Sequence, residues 1–182
     1  DNCLKSFGKC IDTPLFYSTS VYSFKDKNIR KIIHAIKYYH RQDLIEPLTR
    51  ELTQKIQDEG HKKQEIYGLD SATDYKLMAN IWTLVPVPMT KMRKYMRGYN
   101  QAELIAKEIS QKTGIPIRVD ILIRTRNSKR QVKSSTKSER LKNQHNSFQT
   151  NTNVDNMNII LVDDVITTGA TINECYKTLK KY

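Results

Sequence analysis

Asp163 and Asp164 stand side by side, after four β-formers (Ile159, Ile160, Leu161, Val162) and before Val165-Ile166-Thr167-Thr168-Gly169-Ala170-Thr171. Two adjacent carboxylates can accept hydrogen bonds from the vicinal hydroxyls of a sugar. Apolar residues at Ile172, Cys175, Tyr176 and Leu179 follow at helical spacing. The hydroxyl-rich loop therefore leads into a helix N-terminus, where backbone N–H groups point at an anion. Gly169 lets the backbone come close to it. The chemistry expected is a phosphate site beside a diol site.

A second group lies upstream. Pro86-Val87-Pro88 ends an apolar run, and Lys91, Arg93, Lys94 and Arg97 follow, then Gly98-Tyr99-Asn100-Gln101. Prolines at a strand end fix an irregular turn whose N–H groups can form a nest for a pyrophosphate. Tyr99 reads equally well as a packed aromatic, and Asn100 and Gln101 as helix caps. A third group is basic throughout: Arg124, Arg126, Lys129, Arg130, Lys133 and Lys137, interleaved with Ser and Thr, then Arg140. It has no apolar period and reads as a loop over 124–137, with Thr136 and Glu139 opening a short helix.

These groups need elements to hold them. The periodicity predicts a short strand at 21–24 and helices at 28–39 and about 43–58, then a polar loop at 59–74. It predicts strands at 81–87 and 119–123, with a helix at about 99–112 between them that Gly114 stops. Residues 150–158 read as a linker into the strand before Asp163. The order of strands and helices argues for an α/β fold with a mostly parallel sheet flanked by helices.

At 182 residues the chain suits one α/β domain with a small appendage. A mean hydropathy of -0.64 and 27% charged residues describe a water-facing surface. No apolar run approaches the roughly 18 residues of a membrane span, and no signal peptide is visible, so cytoplasm is the expected compartment. The first residue is Asp1 and the last is Tyr182, and both ends read as truncated. Net charge is +12. That excess suits phosphate-bearing partners, including nucleic acid, and equally a solvated lysine-rich surface. The four histidines show no metal spacing. Cys175 falls on the apolar stripe of the last helix and reads as core.

The acidic pair with its Thr-Thr-Gly-Ala-Thr loop resembles the phosphoribosyl pyrophosphate (PRPP) signature of type I phosphoribosyltransferases. Val85-Pro86-Val87-Pro88, Arg97-Gly98-Tyr99-Asn100-Gln101, Arg124-Thr125-Arg126, Gln131, and Glu139-Arg140 with Asn143 keep the order found in the ComF (GntX) family. The resemblance runs from about 84 to 178. It implies a Rossmann-like type I phosphoribosyltransferase fold over 21–182, with a small hood mainly from 21–75 and a flexible lid over 124–140. Asp163 and Asp164 would be the catalytic pair, contacting the ribose hydroxyls and, indirectly, Mg²⁺. Val165, Ile166, Thr167, Thr168, Gly169, Ala170 and Thr171 would hold the 5′-phosphate. Pro86, Val87 and Pro88 would form the pyrophosphate loop, with a strained or cis peptide. Arg97, Arg124, Arg126, Lys129, Arg130 and Arg140 would meet pyrophosphate or DNA. Gln131 is followed by Val-Lys-Ser-Ser, a more polar loop tip than the family's.

Relatives of this kind often open with a four-cysteine zinc finger. Here residues 1–20 hold Cys3 and Cys10 alone, half of a closed set. Zinc with ligands from beyond the chain and a metal-free remnant both stay open. The function implied is a competence-associated protein that binds PRPP with Mg²⁺ and acts in DNA uptake and natural transformation. Pentosyl transfer would make it a transferase with an unidentified acceptor. The rival is a non-catalytic, PRPP-sensing module that binds single-stranded DNA, with Tyr38, Tyr39, Tyr95 and Tyr99 as stacking platforms. A homodimer and contacts with DNA-uptake or recombination proteins are further partners to expect.

Overall fold

A computed structural model of the chain describes residues 22–67, 82–125 and 147–181, with the side chains of 58–67 excepted. Cys3, Cys10, Arg126, Lys129, Arg130 and Arg140 lie outside the described residues. The elements are α1 (Lys27–Tyr38), a 3-10 turn (Gln42–Leu44), α2 (Ile45–Tyr67), β1 (Trp82–Pro86), α3 (Lys91–Arg97), α4 (Gln101–Thr113), β2 (Ile123–Arg124), β3 (Phe148–Gln149), β4 (Asn158–Val162) and α5 (Ala170–Leu179).

Strands β1 and β4 run parallel, in register from Trp82 opposite Asn158 to Pro86 opposite Val162. Residues 116–118 add a parallel lane: Leu84 N–H donates to the Pro116 carbonyl, and Arg118 N–H donates to the Leu84 carbonyl. β2 and β3 form a short antiparallel pair.

Alternation along β1 sends neighbouring side chains to opposite faces. Leu84 packs with Ile36, Ile45, Ile105, Ile109 and Val162, under α1, α2 and α4. Val85 packs with Ile121, Leu122, Phe148, Ile172 and Cys175, against α5. The chain is thus an α/β protein whose parallel sheet is flanked by helices, as the sequence order implied. Cys175 is fully buried, the core position its spacing suggested.

Three expectations need correction, and one element was not expected. Residues 22–24 are turn and bend, not strand. Helix α2 runs on to Tyr67, through the stretch expected as loop; its Lys, Gln and Glu content favours helix enough to carry one glycine, Gly60, which costs about 1 kcal/mol. The strand expected at 119–123 shrinks to Ile123–Arg124, because an Arg118–Asp120 ion pair at 2.6 Å closes a turn and leaves Val119 exposed. The basic cluster after Pro88 is a short helix, α3. Thr90 Oγ caps it by accepting from Arg93 N–H, and Gly98 ends it at φ 78°. A threonine before and a glycine after were the signals for it.

Among the described residues, no helix is long and apolar enough to cross a membrane.

Candidate functional site

The two site loops leave the same end of the sheet because β1 and β4 are parallel neighbours. Asp163 and Asp164 follow β4 directly, and the turn to α5 occupies 165–169. Asp163 Oδ1 accepts the N–H of Asp164 at 2.8 Å. Burial, and then the neighbouring Asp164 carboxylate, push the Asp163 carboxyl up to about 7, while the Asp164 N–H and Lys37 work the other way.

The sign of the resulting pH effect follows. Between the ordinary carboxylate range and about pH 7, native Asp163 holds a proton that the unfolded chain has released. Native stability therefore falls as pH rises through that window. Thermal melts at pH 5 and pH 8 check this: wild type loses more stability on going to pH 8 than Asp163→Asn does.

Gly169 caps α5 at φ 71°, and no side-chain bond caps the helix from that position. A Cβ there would meet nothing within 4 Å, so the backbone conformation, not crowding, selects glycine. Ile166 packs into the second core cluster, which anchors the loop, while Thr167 and Thr168 are exposed. The Thr168 hydroxyl accepts weakly from Ala170 N–H at 3.4 Å.

Val87 sits between two tethers. Its N–H donates to the Val162 carbonyl at 2.9 Å, and its carbonyl accepts from Asn100 Nδ2 at 3.0 Å. Pro86 and Pro88 carry no N–H. Residues 86–88 therefore present no free backbone donor for the expected anion nest. The described residues include no cis peptide, and none of 86–88 has a positive φ.

Cations gather instead on α3 and β2. Arg97 donates to Gln101 Oε1 at 3.1 Å and lies 5.3 Å from the Tyr38 ring centre. Arg124 is largely buried, 5.0 Å from the Phe148 ring centre, and its Nε has no partner among the described residues. Burial, and then Arg93, lower its pKa, while Asp163 is close enough to raise it. Among the described residues, neither Arg93 nor Arg97 pairs with a carboxylate, whereas Lys94 is taken by Glu103 at 3.0 Å.

Asn100 caps a helix and Tyr99 packs, as the sequence allowed, and each makes a further contact, as does Lys37. Asn100 caps α4 by accepting from Ala102 N–H, and the same side chain holds Val87. Tyr99 O–H donates to the Ile36 carbonyl, so its hydroxyl is committed to packing α1, and of the four tyrosines only Tyr38, Tyr39 and Tyr95 are exposed. Lys37, on α1, reaches Asp164 Oδ2 at 2.5 Å. Nothing in the sequence around Lys37 signals that contact.

The carboxylate pair offers hard oxygen donors of the kind a divalent cation prefers. Among the described residues, no three His, Cys, Asp or Glu cluster into a cage. The fit is to a cation that brings phosphate oxygens and water as its other ligands.

Residues 97–182 match the phosphoribosyl transferase domain model. The chain is 38% identical over 100 residues to Competence protein F of Haemophilus influenzae, covering 54% of this chain and 44% of that protein. It is 40% identical over 92 residues to Competence protein ComFC of Bacillus subtilis, covering 50% and 35%. The DNA utilization protein YhgH of Salmonella typhimurium is 26% identical over 174 residues, 94% of this chain and 70% of that protein. The first two matches thus span less than half of the relatives' own length. No solved structure matches the chain. The domain match covers α4, β4, the acidic pair and α5, and with the competence relatives it supports a likeness to ComF-type proteins that carry a phosphoribosyltransferase domain.

Proposed function

We propose that the chain binds PRPP together with Mg²⁺ at the 163–171 turn, and that it acts in the cytoplasm in the handling of DNA during uptake and natural transformation. The observation that carries this reading is the carboxylate pair at the end of β4, joined directly to a glycine-capped helix start. The names of the competence and DNA utilization relatives support the biological setting.

In this reading Asp163 and Asp164 accept the ribose hydroxyls, and residues 165–171 take the 5′-phosphate. Bound Mg²⁺ would offset the pyrophosphate charge. Val87 is held by its two tethers, so pyrophosphate would rest on the rigid 86–88 turn and be met by side-chain cations, with Arg97 on α3 and Arg124 on β2 as the candidates. Transfer would displace pyrophosphate from C1 through an oxocarbenium-like transition state, with positioning and charge stabilisation as the main contributions. The residues around the site include no Ser-His-Asp or Cys-His pair for covalent catalysis, among those described. Cys3 and Cys10 would need two more ligands to hold zinc. Titration calorimetry with PRPP and Mg²⁺ tests the reading; the expectation is binding in the micromolar to millimolar range, and no heat would remove it.

The second reading is a PRPP-sensing module for single-stranded DNA. It is favoured by the exposed rings of Tyr38, Tyr39 and Tyr95, the first of them against Arg97, on a chain of net charge +12. Phosphate contacts make such binding strongly salt-dependent. The paired change Lys129→Ala/Arg130→Ala is expected to weaken binding and to flatten the plot of log affinity against log salt by about 1–2 units, at about 0.7 per lost contact. An unchanged slope would remove these residues from the DNA surface.

A further inference from the structure

We propose that Lys37 is the resident occupant of the sugar-diol site: its ammonium holds Asp164 in the free protein and gives up that oxygen when a ribose 5-phosphate moiety seats. The inference rests on the PRPP reading of the 163–171 turn and adds a positioning residue to it, from an element that carries none of the signature.

The geometry sets this ion pair apart. Lys37 Nζ lies 2.5 Å from Asp164 Oδ2, and the two side chains are only 20% and 18% exposed. The Arg41–Asp43 and Arg50–Glu46 pairs are far more open, and each joins residues within one turn. Lys37 instead joins α1 to the end of β4. A pair this shielded is screened less by solvent than its exposed counterparts.

The acceptor count explains the competition. The adjacent carboxylates have four oxygens. Asp163 Oδ1 is engaged by the Asp164 N–H and Asp164 Oδ2 by Lys37. A vicinal diol brings two O–H donors that need acceptors on one side of the pair. An ammonium at contact distance stands where one of them must approach. A small, mostly apolar cavity and one unpartnered amide lie next to Asp164. A cavity of about 10 Å³ is lined by Asp164, Gln101, Ile33, Ile36 and Ile105, and the buried Gln101 Nε2 has no partner among the described residues.

Release of Lys37 would be felt at the neighbouring α3. Lys37 is in the last turn of α1, next to Tyr38, whose ring faces Arg97. Seating the sugar would thereby loosen the end of α1 that carries Tyr38 beside Arg97.

The test compares wild type, Lys37→Met and Lys37→Arg by calorimetry with ribose 5-phosphate, PRPP and inorganic phosphate. Lys37→Met is expected to bind ribose 5-phosphate roughly 2- to 5-fold more tightly, the range set by one modest ion pair. Its affinity for inorganic phosphate, which needs the loop alone, stays unchanged. Lys37→Arg keeps the cation and binds like wild type. In wild type, acylation of Lys37 read by mass spectrometry speeds up when ribose 5-phosphate is added. Weaker sugar-phosphate binding by Lys37→Met would overturn the proposal and make Lys37 a ligand contact. Unchanged binding would make it a bystander. Either result, with PRPP still bound by wild type, leaves the PRPP reading standing. Failure of wild type to bind any sugar phosphate would remove both.

Discussion

Replacing Asp163 and Asp164 together with asparagine removes PRPP binding below the reach of calorimetry while the chain stays folded. Above about pH 7, where Asp163 is ionised, each carboxylate would accept a charge-assisted hydrogen bond from a ribose hydroxyl, and such bonds contribute about 1.5–3 kcal/mol each. Every 1.4 kcal/mol is about tenfold in affinity, so the single variants should lose roughly 10- to 100-fold and the pair still more. Asparagine keeps the shape and one acceptor oxygen, so the loss reports charge and not a hole. The fold should tolerate it. Lys37 is partly exposed and can turn to water when Asp164 is neutral. Asp163 is a carboxyl whose burial already disfavours its charge. Retained affinity in the double variant, with melting unchanged, would move the sugar site elsewhere.

Asn100→Ala is expected to produce the largest loss of stability of any polar change near the site. Asn100 is almost fully buried, caps α4 and donates to the Val87 carbonyl. Loss of the cap costs about 1 kcal/mol, and a carbonyl left buried without a donor costs about 1–3 kcal/mol more. Against a total stability of about 5–15 kcal/mol, that is a large fraction, and Tm should fall by roughly 5–15 °C. Asn100→Ser separates the two parts. Serine can cap the helix but is too short to reach Val87, so it should recover about 1 kcal/mol and no more. Serine matching wild type in a melting experiment would show that the Val87 tether contributes nothing.

The sequence made visible what is periodic or locally encoded. Helices α1 and α4 fell within two residues of their expected spans, and α5 lies where its apolar stripe pointed, because Ile33, Ile36, Ala102, Ile105, Ile109, Ile172 and Cys175 are buried at helical spacing. The signature strand starts one residue earlier than expected and ends at Val162 as expected. Helix α3 was hidden because seven residues with no buried side chain leave no stripe to detect. The end of α2 was hidden because Gly60 and a polar run look like loop in any window. In the site, the acidic pair and Gly169 were legible from residue type and order. The Lys37 contact and the two tethers on Val87 were not. They depend on which surfaces the crossover between β1 and β4 brings together, and no local pattern carries that.

The parallel rung that pairs Pro86 with Val162, closed by the Val87 N–H on the Val162 carbonyl, acts as a ruler. It fixes the gap between the proline-edged turn and the acidic turn at one strand spacing, about 4.8 Å. A ligand that touches both turns is measured by backbone, and side-chain substitution leaves that measurement alone. Any partner chosen for its shape must then be judged by α1 and α2, which lie across the sheet face and can change without disturbing the scale beneath them.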